Sequence, residues 1–250
     1  MIASSSSQTM VAVARFYLRP LRRSLDRAVD GSVRRTWGVV LGPREVAGHR
    51  LVLRSPRISD APQWREARLR ERERIEPWWV SSPLSWQERH TDVRWVTSVL
   101  QARREARAGR SLPLVVEVDG HVAGQCGLEW ISTHTGVAEM GIWMDSRWAG
   151  RGMSTVAAGM MVDHAMQNLG VHRLVAPISE GNVAAAWGAL RLGMTREGTM
   201  ASFLQVGGER RDHHLWALTS DHLPAEGLAA AMHALADKPR ARRAKQPPPA

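Results

Sequence analysis

Glu139-Met-Gly-Ile-Trp-Met-Asp-Ser-Arg-Trp-Ala-Gly-Arg-Gly-Met-Ser154 is the stretch whose reading decides the fold. Residues 140–144 are apolar apart from Gly141, a pattern that predicts a strand covered on both faces. Apolar residues then return at helical spacing (Val156, Met160, Met161, Ala165, Leu169), which predicts a helix over 153–169 that stops at Gly170. Between them sits Arg147-Trp-Ala-Gly150-Arg-Gly152. A strand that delivers a glycine turn into a helix start leaves backbone N–H groups pointing outward, and the helix dipole adds partial positive charge there. Residues 147–154 are therefore expected to hold a phosphate or pyrophosphate.

Strands and helices follow on either side of this stretch. Upstream, 112–118 and 122–130 read as strands joined by Asp119-Gly120, a strong hairpin signal, with 136–144 as the third member of the meander. Before them, 49–56 reads as the first strand. Asp60-Ala-Pro-Gln63 reads as a cap opening a helix over 61–75, and Ser85-Trp-Gln-Glu88 as a capping box for a second helix running to about Arg107. The Arg/Glu run over 65–76 is expected to be a solvated face with i,i+4 pairs. Downstream come a strand at 173–178, a helix at 183–192, a strand at 194–200, and a hairpin of 202–206 with 210–218 across Gly207-Gly208.

Arg147-x-x-Gly150-x-Gly152 opening a helix after an apolar strand resembles the acyl-CoA signature of the GNAT N-acetyltransferase superfamily. About thirty residues on, Asn182-Val-Ala-Ala185 leads into a helix and then Leu192-Gly193-Met194-Thr-Arg-Glu197-Gly198. This is similar to the second signature of that superfamily, Asn-x-x-Ser followed by Leu-Gly-Phe-x-x-Glu-Gly. With Gly141-Ile-Trp-Met144 and Gly170-Val-His-Arg173, the pattern looks most like the RimJ/RimL branch, and the resemblance spans about 50–218. It implies an α/β fold with a mixed, mostly antiparallel central sheet splayed at its middle and flanked by helices. It also implies acetyl-CoA as co-substrate and an amine acceptor, a protein N-terminus or a small molecule. A module that binds the coenzyme or the ribosome without turnover is the reading outside enzymes.

By the same resemblance, Gly141, Ile142, Trp143 and Met144 would lie along the pantetheine arm and thioester, with a bulge near 141–143. Arg147, Gly150, Arg151, Gly152, Met153 and Ser154 would hold the pyrophosphate, and Asn182 would bind the pantetheine arm while capping the next helix. Glu139, then Glu129 and Glu197, are the candidate bases for the acceptor amine. Three positions depart from the pattern: Ala185 replaces the serine, Met194 replaces the phenylalanine, and Tyr17, the only tyrosine, lies outside the domain. Either another group, Ser179 for one, protonates the leaving thiolate, or the thiolate leaves without an acid. Pro77-Trp78-Trp79-Val80-Ser-Ser-Pro83 fits either a wall of the acceptor channel or a plug on the core.

The net charge of +10 sits entirely in the ends. Residues 1–50 carry nine Arg against three acids and 237–250 five Lys/Arg against Asp237, whereas 51–236 hold twenty of each sign. The domain plan is thus a basic extension over 1–47, the acetyltransferase domain over 48–220, a short helix within 221–236 and a basic tail over 237–250. The extension holds a possible helix at 15–33, and the tail is expected to be disordered. Such ends read as solvated tails or as arms for rRNA. No apolar run approaches the ~20 residues of a membrane span, no secretory signal is apparent, and a cytoplasmic protein, monomer or homodimer, is expected. Cys126 reads as a core thiol. His213-His214 and His164/His172 lack partners at ligand spacing, so no metal site is expected.

Overall fold

The computed structural model describes residues 36–237; the expected helix at 15–33, Tyr17 and the basic tail lie outside them. Eight strands form one sheet in the order β1-β2-β3-β4-β5-β6-β8-β7. They are β1 (Val40–Val46), β2 (His49–Arg54), β3 (Leu112–Val118), β4 (His121–Ser132), β5 (Val137–Met144), β6 (Arg173–Ser179), β7 (Thr195–Val206) and β8 (Glu209–Thr219). All neighbours pair antiparallel except β5 and β6. The splayed mixed sheet expected from the resemblance is present.

The strand β1 escaped the sequence pattern because it is an edge strand whose residues are mostly exposed, so no apolar alternation marks it. It turns into β2 through Ala47 and Gly48, both at positive φ. The expected strands at 194–200 and 202–206 are one strand, β7, with register shifts at 196–198 and 200–204.

The expected helix over 61–75 is two, α1 (Ala61–Arg70) and α2 (Arg72–Ile75). They part at Glu71, whose carboxylate is drawn inward to accept from Ser146 Oγ at 2.7 Å and from Arg74. The expected cap also differs. Asp60 makes no side-chain cap and instead receives both terminal nitrogens of Arg54 at 2.8 Å, while Gln63 accepts from Val122 N. Nor is the Arg/Glu run simply a solvated face: Arg70 pairs with Glu66 and Arg72 with Glu76, but Arg68 and Glu71 are buried.

Ser85 does form the capping box with Glu88, but it caps only α3 (Trp86–Arg89). The chain leaves helical geometry at His90, and Thr91 caps α4 (Asp92–Arg107) anew. The remaining helices are α5 (Met153–Asn168), α6 (Val183–Arg191) and α7 (Leu228–Ala236). None of the described helices is long and apolar enough to cross a membrane.

Two apolar layers cover the sheet. The larger packs α5, α6 and α7 on one face through Leu51, Leu114, Met140, Met153, Met161 and Leu174; the smaller packs α1, α3 and α4 on the other through Trp64, Trp86, Trp95 and Trp143. Each such side chain withdrawn from water contributes roughly 1.5–3 kcal/mol. Gly159 permits a close contact between α5 and α7, since a Cβ there would stand 2.9 Å from the backbone of Ala229. Asp163, one turn on, accepts from Leu228 N at 2.7 Å and Ala229 N at 2.9 Å, so a carboxylate from α5 caps α7. Helix α7 thus runs antiparallel to α5, and its end reaches Gly152, whose Cβ would meet that of Ala236 at 2.6 Å.

Candidate active site

Strands β5 and β6 are joined by three parallel pairs only, Val137 with Arg173, Ala138 with Leu174 and Glu139 with Val175. Beyond these no rung connects them. β5 from Met140 onward stays paired to β4 and β6 from Ala176 onward to β8, so their facing edges offer unpaired backbone groups. A V-shaped opening in the middle of the sheet results. β5 is consequently not covered on both faces: Ile142, at 39% exposure, looks into open space.

Alternation along β5 places Glu139, Gly141 and Trp143 on the face that carries α1, with Ala138 and Met140 in the larger core. The expected bulge is on the neighbouring strand, where the register shifts between Leu128 and Trp130 and Glu129 becomes the extra residue. A bulged residue bends its strand and re-aims its side chain. Here the carboxylate of Glu129 comes to lie over Gly141, with Oε1 only 3.1 Å from where a Cβ would be. Solvent reaches this side chain, but the walls of the opening surround it. That burial, more than the nearby charge of Glu139, raises its pKa above the ordinary carboxylate range. Glu139 accepts from Trp130 Nε1 at 3.0 Å. The structure thus brings Glu129, Glu139 and Gly141 together. Glu197 is elsewhere: on β7, three strands along from β5 and at the closed end of the V, it is held by both terminal nitrogens of Arg173, which lower its pKa.

At the open end, β5 runs into a tight turn. Asp145 caps it by accepting from Arg147 N at 2.9 Å, and the same carboxylate binds the Arg147 side chain and Arg70 of α1. No part of Asp145 reaches solvent, although it lies close beneath the surface. Burial pushes its pKa up, but the hydrogen bonds from Arg147 and Arg70 prevail and hold it below the usual range. Arg147 therefore has Nε and NH2 engaged by Asp145, while its side chain stays half-exposed.

Gly150 and Gly152 both adopt positive φ, which side chains other than glycine rarely tolerate. Gly152 is the N-cap of α5 and no side chain caps this helix, so the leading N–H groups at Met153 and Ser154 form an open cradle. The Met153 side chain itself is buried in the core. Arg151 stands beside the cradle. Its terminal nitrogen lies 3.0 Å from His49 Nε2, while His49 Nδ1 lies 2.7 Å from Asp119 Oδ2. An arginine only donates, so Nε2 accepts and Nδ1–H donates to Asp119. Trp148 packs edge-on against His49 and lies under Arg151.

Across the V, Asn182 caps α6 by accepting from Ala185 N at 3.2 Å. Ser179, at the end of β6, is buried with no partner for Oγ. The loop after α2 spans the opening on the α1 side. Val80 bridges to Val206, and Trp78 lies 3.6 Å from the Cβ position of Gly181. Of the residues that build this site, sequence reading missed Asp145, His49, Asp119 and Arg68. The first carried a signal, an Asp directly after a strand and two residues before an Arg; the others act through tertiary contacts that no spacing reveals. Among the described residues no group of three His, Cys, Asp or Glu side chains is placed to hold a metal ion.

Comparison with known proteins accords with this geometry. Residues 50–195 match the acetyltransferase (GNAT) domain family. Mycobacterium smegmatis RimJ, solved in complex with CoA-disulfide, is 32% identical over 80% of this chain and 96% of that one, with a TM-score of 0.76. The fold is shared with a ribosomal-protein-S5-alanine acetyltransferase from Vibrio fischeri (21% identity, 74% and 98% of the two chains, TM-score 0.64). It is shared too with a Salmonella typhimurium acetyltransferase that modifies the N-terminal serine of ribosomal protein L7/L12 (19%, 72% and 99%, TM-score 0.64). No curated protein matches the sequence. With the V between β5 and β6, the glycine cradle before α5 and the domain match over 50–195, the chain belongs to the GNAT family of N-acetyltransferases.

Proposed function

We propose that the protein transfers acetyl from acetyl-CoA directly to an amine, and that the amine is the N-terminal α-amine of a ribosomal protein. The observation that carries this reading is the carboxylate of Glu129 lying over Gly141, where the sheet opens, in line with an uncapped helix start at the far end of the same strand. The cradle fits a pyrophosphate: its glycines hold the turn at positive φ, its amides point outward, and Arg151 adds positive charge. The unpaired edge of Met140–Met144 suits the amides of a pantetheine arm, which would extend the sheet like an added strand.

The coenzyme supplies an acyl thioester, and the chain's residues do the rest. An attacking amine must first lose its proton, and an α-amine with a reference pKa near ~8 needs less help than a lysine near ~10.4. Glu129, made a better proton acceptor by its partial burial, takes that proton directly or through one water. Glu139, held by Trp130, keeps negative charge beside it. Backbone N–H groups on the open edge near Gly141 are placed to stabilise the oxyanion. Ser179, with its buried and unpartnered hydroxyl on the opposite strand, is the candidate proton donor to the leaving thiolate.

Resemblance to RimJ and to the acetyltransferase of an L7/L12 N-terminal serine supports the protein acceptor. The test is incubation with acetyl-CoA and a library of N-terminal peptides, read as free thiol release and mass gain. Acetylation of α-amines is expected. Turnover of small amines alone would reject the protein acceptor, and CoA binding without thiol release from any amine would reject the enzyme reading.

A further inference from the structure

Among the described residues, the buried charged side chains are compensated with one exception. Arg54 is paired with Asp60 and Glu117, Glu71 with Arg74, and Asp145 with Arg70 and Arg147. Arg68 is 1% exposed, and among the described residues no carboxylate lies within ion-pair distance of it. The charge that acts on it is that of another cation, Arg89. Burial first, and Arg89 second, push the Arg68 guanidinium down to about 9. Nε donates to His90 Nε2 at 3.0 Å, but NH1 is buried without any partner. His90 offers only a neutral lone pair, since burial pushes this imidazole down to about 4. A charge buried without an opposite charge is costly, and three tryptophan faces only partly offset it. Trp79 lies 3.9 Å over the guanidinium, Trp86 4.8 Å and Trp143 4.9 Å away.

The position of this cation bears on the reaction. Trp143 stands on β5 on the same face as Gly141 and two residues from it, a separation of about 7 Å along a strand. Adding the reach of the indole puts Arg68 roughly 10–14 Å from the reacting centre, or about three to four residues of extended chain. Trp86 and Trp143 are buried, but Trp79 is 37% exposed and belongs to the loop that spans the opening. Trp79 is thus the ring that separates Arg68 from an incoming acceptor.

We propose that Arg68 is the receptor for a carboxylate carried by the acceptor within its first four residues, admitted beneath Trp79, so that the enzyme selects acidic acceptor chains. A carboxylate there would pair with the unpartnered NH1 and supply the missing opposite charge, and the planar fork of an arginine suits two-oxygen recognition. The proposal rests on the acyl-transfer reading above for the location of the amine.

The experiment compares peptides that differ only by Asp or Asn at the second, third or fourth residue. Wild type, Arg68→Met and Arg68→Lys would be assayed for thiol release, and binding of the same peptides would be followed by tryptophan fluorescence with CoA present. At one position wild type should prefer the Asp peptide by roughly tenfold or more in kcat/KM, mostly through KM. In Arg68→Met the preference should collapse to about one, with Arg68→Lys between, since lysine keeps the charge and loses the fork. An unfolded Arg68→Met leaves the decision to the wild-type ratio and Arg68→Lys. Equal rates for Asp and Asn peptides at all three positions, or a preference that survives in Arg68→Met, would overturn the proposal. Carboxylate-dependent quenching without turnover would uphold this receptor while rejecting transfer to an α-amine.

Discussion

Replacing Asp145 by Asn tests whether the phosphate cradle is fastened to the body of the domain in the way described. The substitution keeps the shape and removes one charge. In the native protein that carboxylate receives Arg147 N at 2.9 Å, Arg147 Nε at 3.0 Å, Arg147 NH2 at 2.8 Å and Arg70. Breaking a fully buried ion pair typically costs 3–5 kcal/mol. Arg70 and Arg147 are 31% and 53% exposed, so water recovers part of their charge, and about 2 kcal/mol is the expected loss. For a domain of this size that corresponds to a fall of about 4–8 °C in Tm. The sign with pH follows from the lowered pKa of Asp145. Its contribution is fully present above the ordinary carboxylate range and is lost as pH falls through the depressed native value, so the gap between wild type and variant should close in acid. Calorimetry at neutral and acid pH measures both, and titration with CoA should show weakened binding, because Arg147 and the turn before α5 lose their anchor. A Tm within about 1 °C of wild type at neutral pH would refute the fastening argument.

Four further outcomes are expected. Glu129→Gln should lower kcat/KM about 10²–10⁴-fold and abolish the acidic limb of the pH profile, which in wild type falls as pH drops through a Glu129 pKa raised above the ordinary range; an unchanged limb would exclude Glu129 as the base. His49→Ala removes the acceptor that orients Arg151 and should weaken CoA binding by roughly 3–10-fold, a charge-assisted contact made less favourable; equal affinity would mean Arg151 needs no support. Gly150→Glu puts a side chain and a negative charge at a positive-φ turn in the cradle, and calorimetry should detect no CoA binding. Deleting residues 1–35 and 238–250, which spares β1 and α7, should reduce ribosome co-sedimentation in a salt-dependent manner while peptide turnover persists, and salt-insensitive sedimentation would count against a tether to rRNA.

The sheet, the three-strand meander and the helix after the glycine turn were legible because each announces itself locally: Asp119-Gly120 fixes a hairpin, and period-3.6 apolar residues fix α5. Two helix breaks were not, because their causes lie elsewhere in the chain. Glu71 leaves the helix to reach Ser146, and His90 leaves it to hold Arg68, contacts that span 75 and 22 residues. Within the site, the glycines and Asn182 were readable as conformational requirements. The placement of Glu129 was not, since it depends on one extra residue in β4 that turns this carboxylate onto Gly141. Glu197 matched a motif letter for letter and is nonetheless an ion-pair partner of Arg173. Arg147 likewise matched, yet geometry directs it at Asp145 and leaves Arg151 beside the cradle.

The way α7 is laid down has a practical consequence. Its last residue, Ala236, touches the cap of the cradle helix, and the protein's only cysteine, Cys126, is buried with its thiol pushed up to about 12 by burial and the nearby Glu129. Thiol-reactive dyes act on the thiolate, so Cys126 is inert to them and the natural sequence is already a blank background for labelling. An Ala236→Cys protein would accept a single fluorophore at the mouth of the coenzyme site. Its emission would follow occupancy of the cradle in real time, with no acceptor substrate and no turnover required.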